Sequence, residues 1–258
     1  MNKGRIIYTS LLMSLAISSQ AGTMGMDGID ATKDYYTGIQ LDYSWQNIKG
    51  TNRQFFLNGN GATGSGSAPI KSNQGLYMGQ FILGHTISGE NLTLATEFGV
   101  GFYEGSTKKI YNAPSTVDQT IYSYVGEVSP QTSVLLSLLP GYKINSMTFY
   151  GRLGGGFTKY KTTETSIVDT NISPEVFSTV HSLVRWSPEL ILGLGLKKEF
   201  NNNLSMRLEY TYKKAQSFDI KTNDARSSTN PNVVRTSDND YKVSSNNVGL
   251  AVLYNFDV

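Results

Sequence analysis

The chain has 258 residues, with 22 Lys and Arg against 20 Asp and Glu and a formal net charge of +2. Near-neutrality with no basic run excludes the electrostatic footprint of a nucleic-acid binder, and the absence of cysteine excludes a disulfide framework. Mean hydropathy is that of a soluble protein, but a β-barrel with a polar lumen and polar loops averages to the same value, so a membrane protein is not excluded.

At the start of the chain, Lys3 and Arg5 give a basic region, residues 6–17 a short apolar core, and Ser19-Gln20-Ala21 small residues at the positions a signal peptidase reads. Residues 1–21 are therefore predicted to be a signal peptide cleaved after Ala21, so that the protein is exported. No later run of 18 apolar residues offers a membrane helix. Residues 22–34 read as a periplasmic lead-in and 35–258 as one barrel domain.

The first predicted strand, 36–46, puts Ile39, Leu41, Tyr43 and Trp45 on one face and Gly38, Gln40, Asp42 and Ser44 on the other. This is the period-2 pattern of a strand with two unlike faces. The second covers 74–86. Ser88-Gly89-Glu90-Asn91 reverses it into the third, 92–103, where Leu92, Leu94, Phe98, Val100 and Phe102 oppose Thr93, Ala95, Glu97, Gly99 and Gly101. The fourth, 132–143, turns at Asn145-Ser146 into the fifth, 147–160. The sixth, 185–200, turns at Asn201-Asn-Asn203 into the seventh, 204–214. Long connections are predicted at 47–73, 104–131, 161–184 and 215–244.

The closing strand, 247–256, sets Val248, Leu250, Val252, Tyr254 and Phe256 against Asn247, Gly249, Ala251, Leu253 and Asn255. Ten residues suffice for a tilted strand to cross a bilayer within a barrel. The expected fold is all-β, an eight-stranded antiparallel up-and-down transmembrane barrel. Tight turns and both termini lie on the periplasmic side and long loops outside, since an even strand number brings the termini together. Alternation persists at 159–168 and 120–125, so some strands are expected to continue beyond the membrane as a rim.

Tyr36-Thr-Gly-Ile-Gln-Leu-Asp-Tyr-Ser and Met206-Arg-Leu-Glu-Tyr-Thr-Tyr212 resemble segments of small OmpA/OmpX-type and opacity-type outer-membrane barrels. Asn247, Gly249, Val252, Tyr254 and Phe256 resemble the C-terminal assembly signal of such proteins, with Asp257 and Val258 following the aromatic. The resemblance implies the outer membrane of a Gram-negative bacterium. Its implied partners are lipid and lipopolysaccharide, with periplasmic chaperones and the barrel-assembly machinery during biogenesis. It does not select an activity, because that fold hosts adhesins, evasion factors, lipid enzymes and structural proteins.

The outward face must satisfy lipid. Leu190, Leu192, Leu194 and Leu196 form a ladder between Trp186 and Phe200, and Trp45, Tyr142, Phe157, Tyr210 and Tyr212 are placed as further interface aromatics. The inward face carries Asp42, Glu97, Lys143, Arg152, Glu189, Lys197, Arg207 and Glu209, four charges of each sign. Counted from their turns, Glu97, Arg152 and Glu209 come to a similar depth, with Arg207 one inward position below. Buried charges need partners, and the expectation is a salt-bridge plug without a permanent pore. Opposite charges hold such carboxylates ionised, which argues against acid–base catalysis.

Other chemistry fails on context. Gly59-Asn-Gly61-Ala-Thr-Gly64 fits a dinucleotide pattern, but Ser65-Gly-Ser-Ala-Pro follows it in place of a helix. His85 and His181 are the two histidines, and neither has an evident orienting carboxylate or the companions of a zinc site. No catalytic residue, cofactor or metal is expected. Three classes remain: a structural or surface-interaction barrel acting through its loops, a narrow ion or solute pore, and a lipid-modifying enzyme. The first is favoured, with a host or surface ligand for the loops.

Overall fold

The computed structural model describes residues 32–57, 63–114, 121–169, 180–201, 203–224 and 234–256. Residues 1–21, most of the lead-in, Asn202 and the final Asp257-Val258 lie outside them. The described chain forms ten strands: β1 (Thr32–Leu57), β2 (Thr63–Ser88), β3 (Leu92–Glu104), β4 (Thr107–Pro114), β5 (Ile121–Ile144), β6 (Met147–Asp169), β7 (Val180–Glu199), β8 (Leu204–Ala215), β9 (Phe218–Asp224) and β10 (Val234–Phe256). β1 starts within the stretch read as lead-in.

Eight of these close a ring in the order β1-β2-β3-β5-β6-β7-β8-β10, sealed by β1 against β10. All the ring pairings are antiparallel. β4 and β9 continue the arms begun by β3 and β8, after breaks at Gly105, where φ is +109°, and at Gln216, and pair with β5 and β10. Followed by register, Tyr36 leads through Gly84, Glu97, Ser137, Gly154, Ile191, Lys213 and Ser245 to Gln46, ten residues farther along β1. That stagger sets the strand tilt and a bore narrow enough for side chains to fill.

The predicted tight turns form. Asn145 takes φ +54°, the left-handed region that Asn tolerates at a two-residue hairpin turn. The Asn201 carboxamide oxygen accepts from the Asn203 and Leu204 amides at 3.0 and 2.7 Å. Gly89 N–H donates to the Leu92 carbonyl at 2.8 Å.

The long connections are largely strand: the rim expected at 159–168 and 120–125 forms in β6 and β5, and the pairing also takes in 47–57 and 63–73, which the sequence reading made loop. β1 stays paired with β2 as far as Leu57 opposite Thr63, and β5 with β6 as far as Ile121 opposite Asp169. Backbone ladders do not depend on side-chain type, so Gly- and Ser-rich segments can pair where their partners are ordered. Alternate inward residues then supply a core, with Ile48, Ile70, Val128, Tyr160, Phe218, Tyr241 and Val243 buried together. The Tyr160, Phe218 and Tyr241 rings stack at centroid distances of 5.6 Å. A register shift between Pro130 and Thr132 marks where β5 passes into this extension.

Outside, Leu41 and Leu194 are each 70 % exposed, and Ile39, Phe81, Leu83, Leu190, Leu192, Leu208 and Leu250 join them in an apolar belt. Such a belt belongs in lipid. Trp45, Tyr142, Trp186, Phe200, Tyr210 and Tyr212 are exposed near its ends, while Phe157 and Leu196 are half-buried. With the turns periplasmic, an epitope tag near Gly64 or Asn230 should bind antibody on intact cells and one at Asn202 should not. Labelling of the Asn202 tag without permeabilisation would reverse the orientation.

Candidate functional site

Four charged side chains meet across the middle of the bore. Strand parity brings Glu97 from β3, Arg152 from β6, and Arg207 and Glu209 from β8 to the inner face, all 6 % exposed or less. Arg152 donates from Nη2 to Glu97 at 2.5 Å, from Nε to Glu209 at 2.9 Å and from Nη1 to the Ser137 hydroxyl at 3.0 Å. Arg207 Nη1 donates to the second Glu97 oxygen, and its Nη2 to the Gln40 carboxamide oxygen at 2.6 Å. One carboxylate thus serves two guanidiniums, and one guanidinium two carboxylates. In a low-dielectric bore each charge is compensated several times.

Two phenols complete the cluster. Tyr36 donates to Glu97 at 3.0 Å and Tyr150 to Glu209 at 2.7 Å. Each lies directly opposite a glycine, Tyr36 over Gly84 and Tyr150 over Gly195. A Cβ on either glycine would enter the tyrosine ring, so the missing side chain is what lets the phenol lie across the wall and reach its carboxylate.

The other predicted lumen charges belong to two further sites. Above the cluster, Asp42 accepts from Gln40 at 2.8 Å and Glu189 from the Tyr160 hydroxyl at 2.6 Å. One oxygen of each, Asp42 Oδ2 and Glu189 Oε2, finds no hydrogen-bond partner in the described chain. The buried Lys213 ammonium lies within electrostatic range of both and donates to the Tyr103 hydroxyl at 3.3 Å, with the Met78 sulfur at 3.6 Å. Below, at the periplasmic mouth, Lys143 and Lys197 share Glu199 at 2.7 and 3.2 Å. The eight predicted charges therefore lie at three levels of the bore, and Gln40, bonded to both Arg207 and Asp42, links the central level to the upper one. Lys213, Glu199, Tyr36, Tyr150, Tyr160, Gln40 and Ser137 were missed, although each shares strand parity with an inward charge that was found.

An apolar layer bounds the central cluster on its periplasmic side. Beneath it Tyr36, Ile82, Ala95, Leu139, Tyr150, Ala251 and Leu253 are buried together. The inward face is thus less polar than expected, because a bore closed by side chains gains from burying Ile82 and Leu253 wherever no charge is placed. A vestibule of about 720 Å³ opens to the periplasm beside Asp34, Lys143, Lys197 and Glu199. It narrows to a cavity of about 40 Å³ under Arg207, Tyr36, Tyr150 and Leu253.

The barrel seam joins the proposed assembly residues to the first strand. Phe256 stacks on Tyr35 at 6.2 Å, and Tyr35 meets the His85 ring at 4.7 Å. His85 thus takes part in an aromatic row at the periplasmic edge, while the His181 side chain lies outside the described residues. Asn247 donates to the Thr211 carbonyl at 3.2 Å, and Gly249 lies against the Asp42 carboxylate. Replacing Tyr254 and Phe256 together by Ala should lower the folded fraction, read as loss of the heat-modifiable gel band. An unchanged yield would remove these residues from assembly. Among the described residues no group of three or more His, Asp or Glu could hold a metal ion.

A family model described as "OmpA-like transmembrane domain" matches residues 30–257. A search of curated protein sequences finds no match. Among solved structures the chain is similar to Ail, the attachment invasion locus protein of Yersinia pestis, in complex with the heparin analogue sucrose octasulfate. Identity is 16 %, the TM-score is 0.35, and 86 % of this chain and 99 % of that one are covered. Neisserial surface protein A matches at 13 % identity and a TM-score of 0.33, covering 88 % and 99 %. A major outer membrane protein from Thermus thermophilus matches at 13 % and 0.41, covering 84 % and 99 %.

Proposed function

The chain belongs to the OmpA-like transmembrane domain family, and from that premise we propose that this outer-membrane barrel is a structural or surface-interaction protein whose lumen is plugged by its charge cluster. Its place is the outer membrane of a Gram-negative bacterium. In this reading residues 1–21 direct export, 22–34 lead into the barrel domain, and 35–258 form it. Asn247, Gly249, Val252, Tyr254 and Phe256 present the closing strand to the assembly machinery.

The observation that carries the plug is the chain of bonds from Tyr36 through Glu97, Arg152 and Glu209 to Tyr150, with Arg207 bonded to the same Glu97. Water entering such a layer would have to replace several charge-assisted bonds at once, each stronger than a neutral one. With the bore occupied, what is left for recognition is the outer extension, whose strands hold its connecting segments on a rigid frame. Its ligand would be a host or environmental surface.

A deletion strain tests this reading against its alternatives. Attachment to host-derived surfaces should fall, while uptake of small hydrophilic solutes and the lipid A mass spectrum stay as in the parent. Reduced solute uptake with unchanged attachment would favour a pore, and an altered lipid A spectrum an enzyme.

A further inference from the structure

The outer extension does not continue the closed ring beneath it. Above Tyr77 the described part of β2 pairs with β1 alone, and β4, resuming after Gly105, pairs with β5 alone. Half a turn around the ring, β7 above Glu189 pairs with β6 alone and β9 with β10 alone. The wall is therefore interrupted along two seams, β2–β4 and β7–β9. Between the seams stand two four-stranded leaves, β4-β5-β6-β7 and β9-β10-β1-β2.

Packing joins the leaves more than bonding does. Val128 and Tyr160 of the first leaf are buried with Ile48, Ile70, Phe218, Tyr241 and Val243 of the second. Phe218 stacks on both Tyr160 and Tyr241. Across the β7–β9 seam the described bonds lie at its root. Gln216 N–H donates to the Pro188 carbonyl at 2.8 Å, the Ser187 hydroxyl to the Gln216 carbonyl at 3.0 Å, and Arg185 Nη1 to the Asp219 carbonyl at 3.3 Å. β4 runs closer to β2 than β9 does to β7. Opening a seam that has no ladder breaks few hydrogen bonds, so local opening costs least there.

The first leaf also has the breaks that a hinge needs. Gly105, with φ +109°, separates β3 from β4. The register of β5 shifts between Pro130 and Thr132 at the same height, since Phe102 lies opposite Thr132 and Thr107 opposite Val128. Pro188, with no N–H to give a ladder, stands just above the point where β7 begins to pair with β8. The long strands of the second leaf, β10, β1 and β2, rise from the barrel with no shift in register. Bulges, glycine and proline are where a sheet absorbs a change of direction.

We propose that the leaf β4-β5-β6-β7 swings on Gly105, the Pro130–Thr132 shift and Pro188, opening the β7–β9 seam and uncovering an aromatic slot between Tyr160 and Phe218. Each leaf keeps its own ladders and moves as a unit, and the membrane barrel below stays closed. The inference is independent of the plug and of what the extension recognises.

Because the chain has no cysteine, a pair of introduced cysteines reports one distance. Spin labels at Ser182→Cys on β7 and Lys221→Cys on β9, both exposed, span the seam. Labels at Lys49→Cys and Lys221→Cys lie within the second leaf. Pulsed dipolar spectroscopy reads both pairs in the folded full barrel in lipid nanodiscs, each variant checked for its heat-modifiable band. The seam pair should give a distribution at least twice as wide as the within-leaf pair, with a separate population at longer distance. Phe218→Ala, which removes the middle ring of the stack, should at least double that population and leave the within-leaf distance unchanged. A seam distribution as narrow as the within-leaf one in both backgrounds would overturn the hinge. Equal broadening of the two pairs would overturn it too, because strands would then be loosening singly rather than as a leaf.

Discussion

Glu97→Ala should be the most damaging single substitution in the lumen. The Glu97 carboxylate accepts from Arg152, Arg207 and Tyr36, and its side chain is 1 % exposed. Without it two guanidiniums remain buried near each other, with Glu209 as the acid left between them. Removing one partner of a buried pair costs about 3–5 kcal/mol. Because Glu97 serves two cations, a value toward the upper end is expected. Glu97→Gln keeps the shape and one acceptor oxygen, so its loss should be smaller and of the same sign. Urea titration of the heat-modifiable form in vesicles reads both. A loss below about 1 kcal/mol for Glu97→Ala would show that water takes over the cluster with little strain.

Arg152→Ala should combine a stability loss with leakage. Arg152 ties the β3 side of the bore to the β8 side, contacting Glu97, Ser137 and Glu209. After truncation Glu97 keeps Arg207, but Glu209 retains the Tyr150 hydroxyl and an Arg207 Nε 3.9 Å away, too far for a hydrogen bond. A loss of about 3 kcal/mol is expected for the broken pair, reduced by any water that enters. The vacated volume lies between the periplasmic cavity and the upper layer of Asp42, Glu189 and Lys213, so brief conducting events should become frequent. Leu192→Ala is the control: its side chain faces outward and is 44 % exposed. It should weaken lipid contact while leaving the record silent.

What could be read from the sequence was set by parity. Ile39, Leu41 and Trp45 against Gln40 and Asp42 fix which way β1 faces, and the same alternation fixes Glu97, Arg152 and Glu209. Because β3, β6 and β8 each start just after a tight turn, equal counts from Leu92, Met147 and Leu204 give equal depth. Tyr36, Tyr150 and Lys213 obey the same parity and escape notice because tyrosine in a barrel suggests a girdle and one more lysine suggests solvent. Their partners, Gly84, Gly195 and Met78, are cross-strand or cross-bore relations that no single strand displays. Apart from the alternation at 120–125 and 159–168, the outer extension reads as loop because Gly, Ser and Asn are frequent in it. Ile48, Ile70, Tyr241 and Val243 hold the contrary signal, legible only once the pairing of β10, β1 and β2 is known.

Single-channel recording of the wild-type barrel in planar bilayers tests the sealed lumen most directly. The expected record is a silent baseline that gains brief current steps in Arg152→Ala and Glu97→Ala. A steady current through the wild-type barrel, unaltered by either substitution, would contradict it.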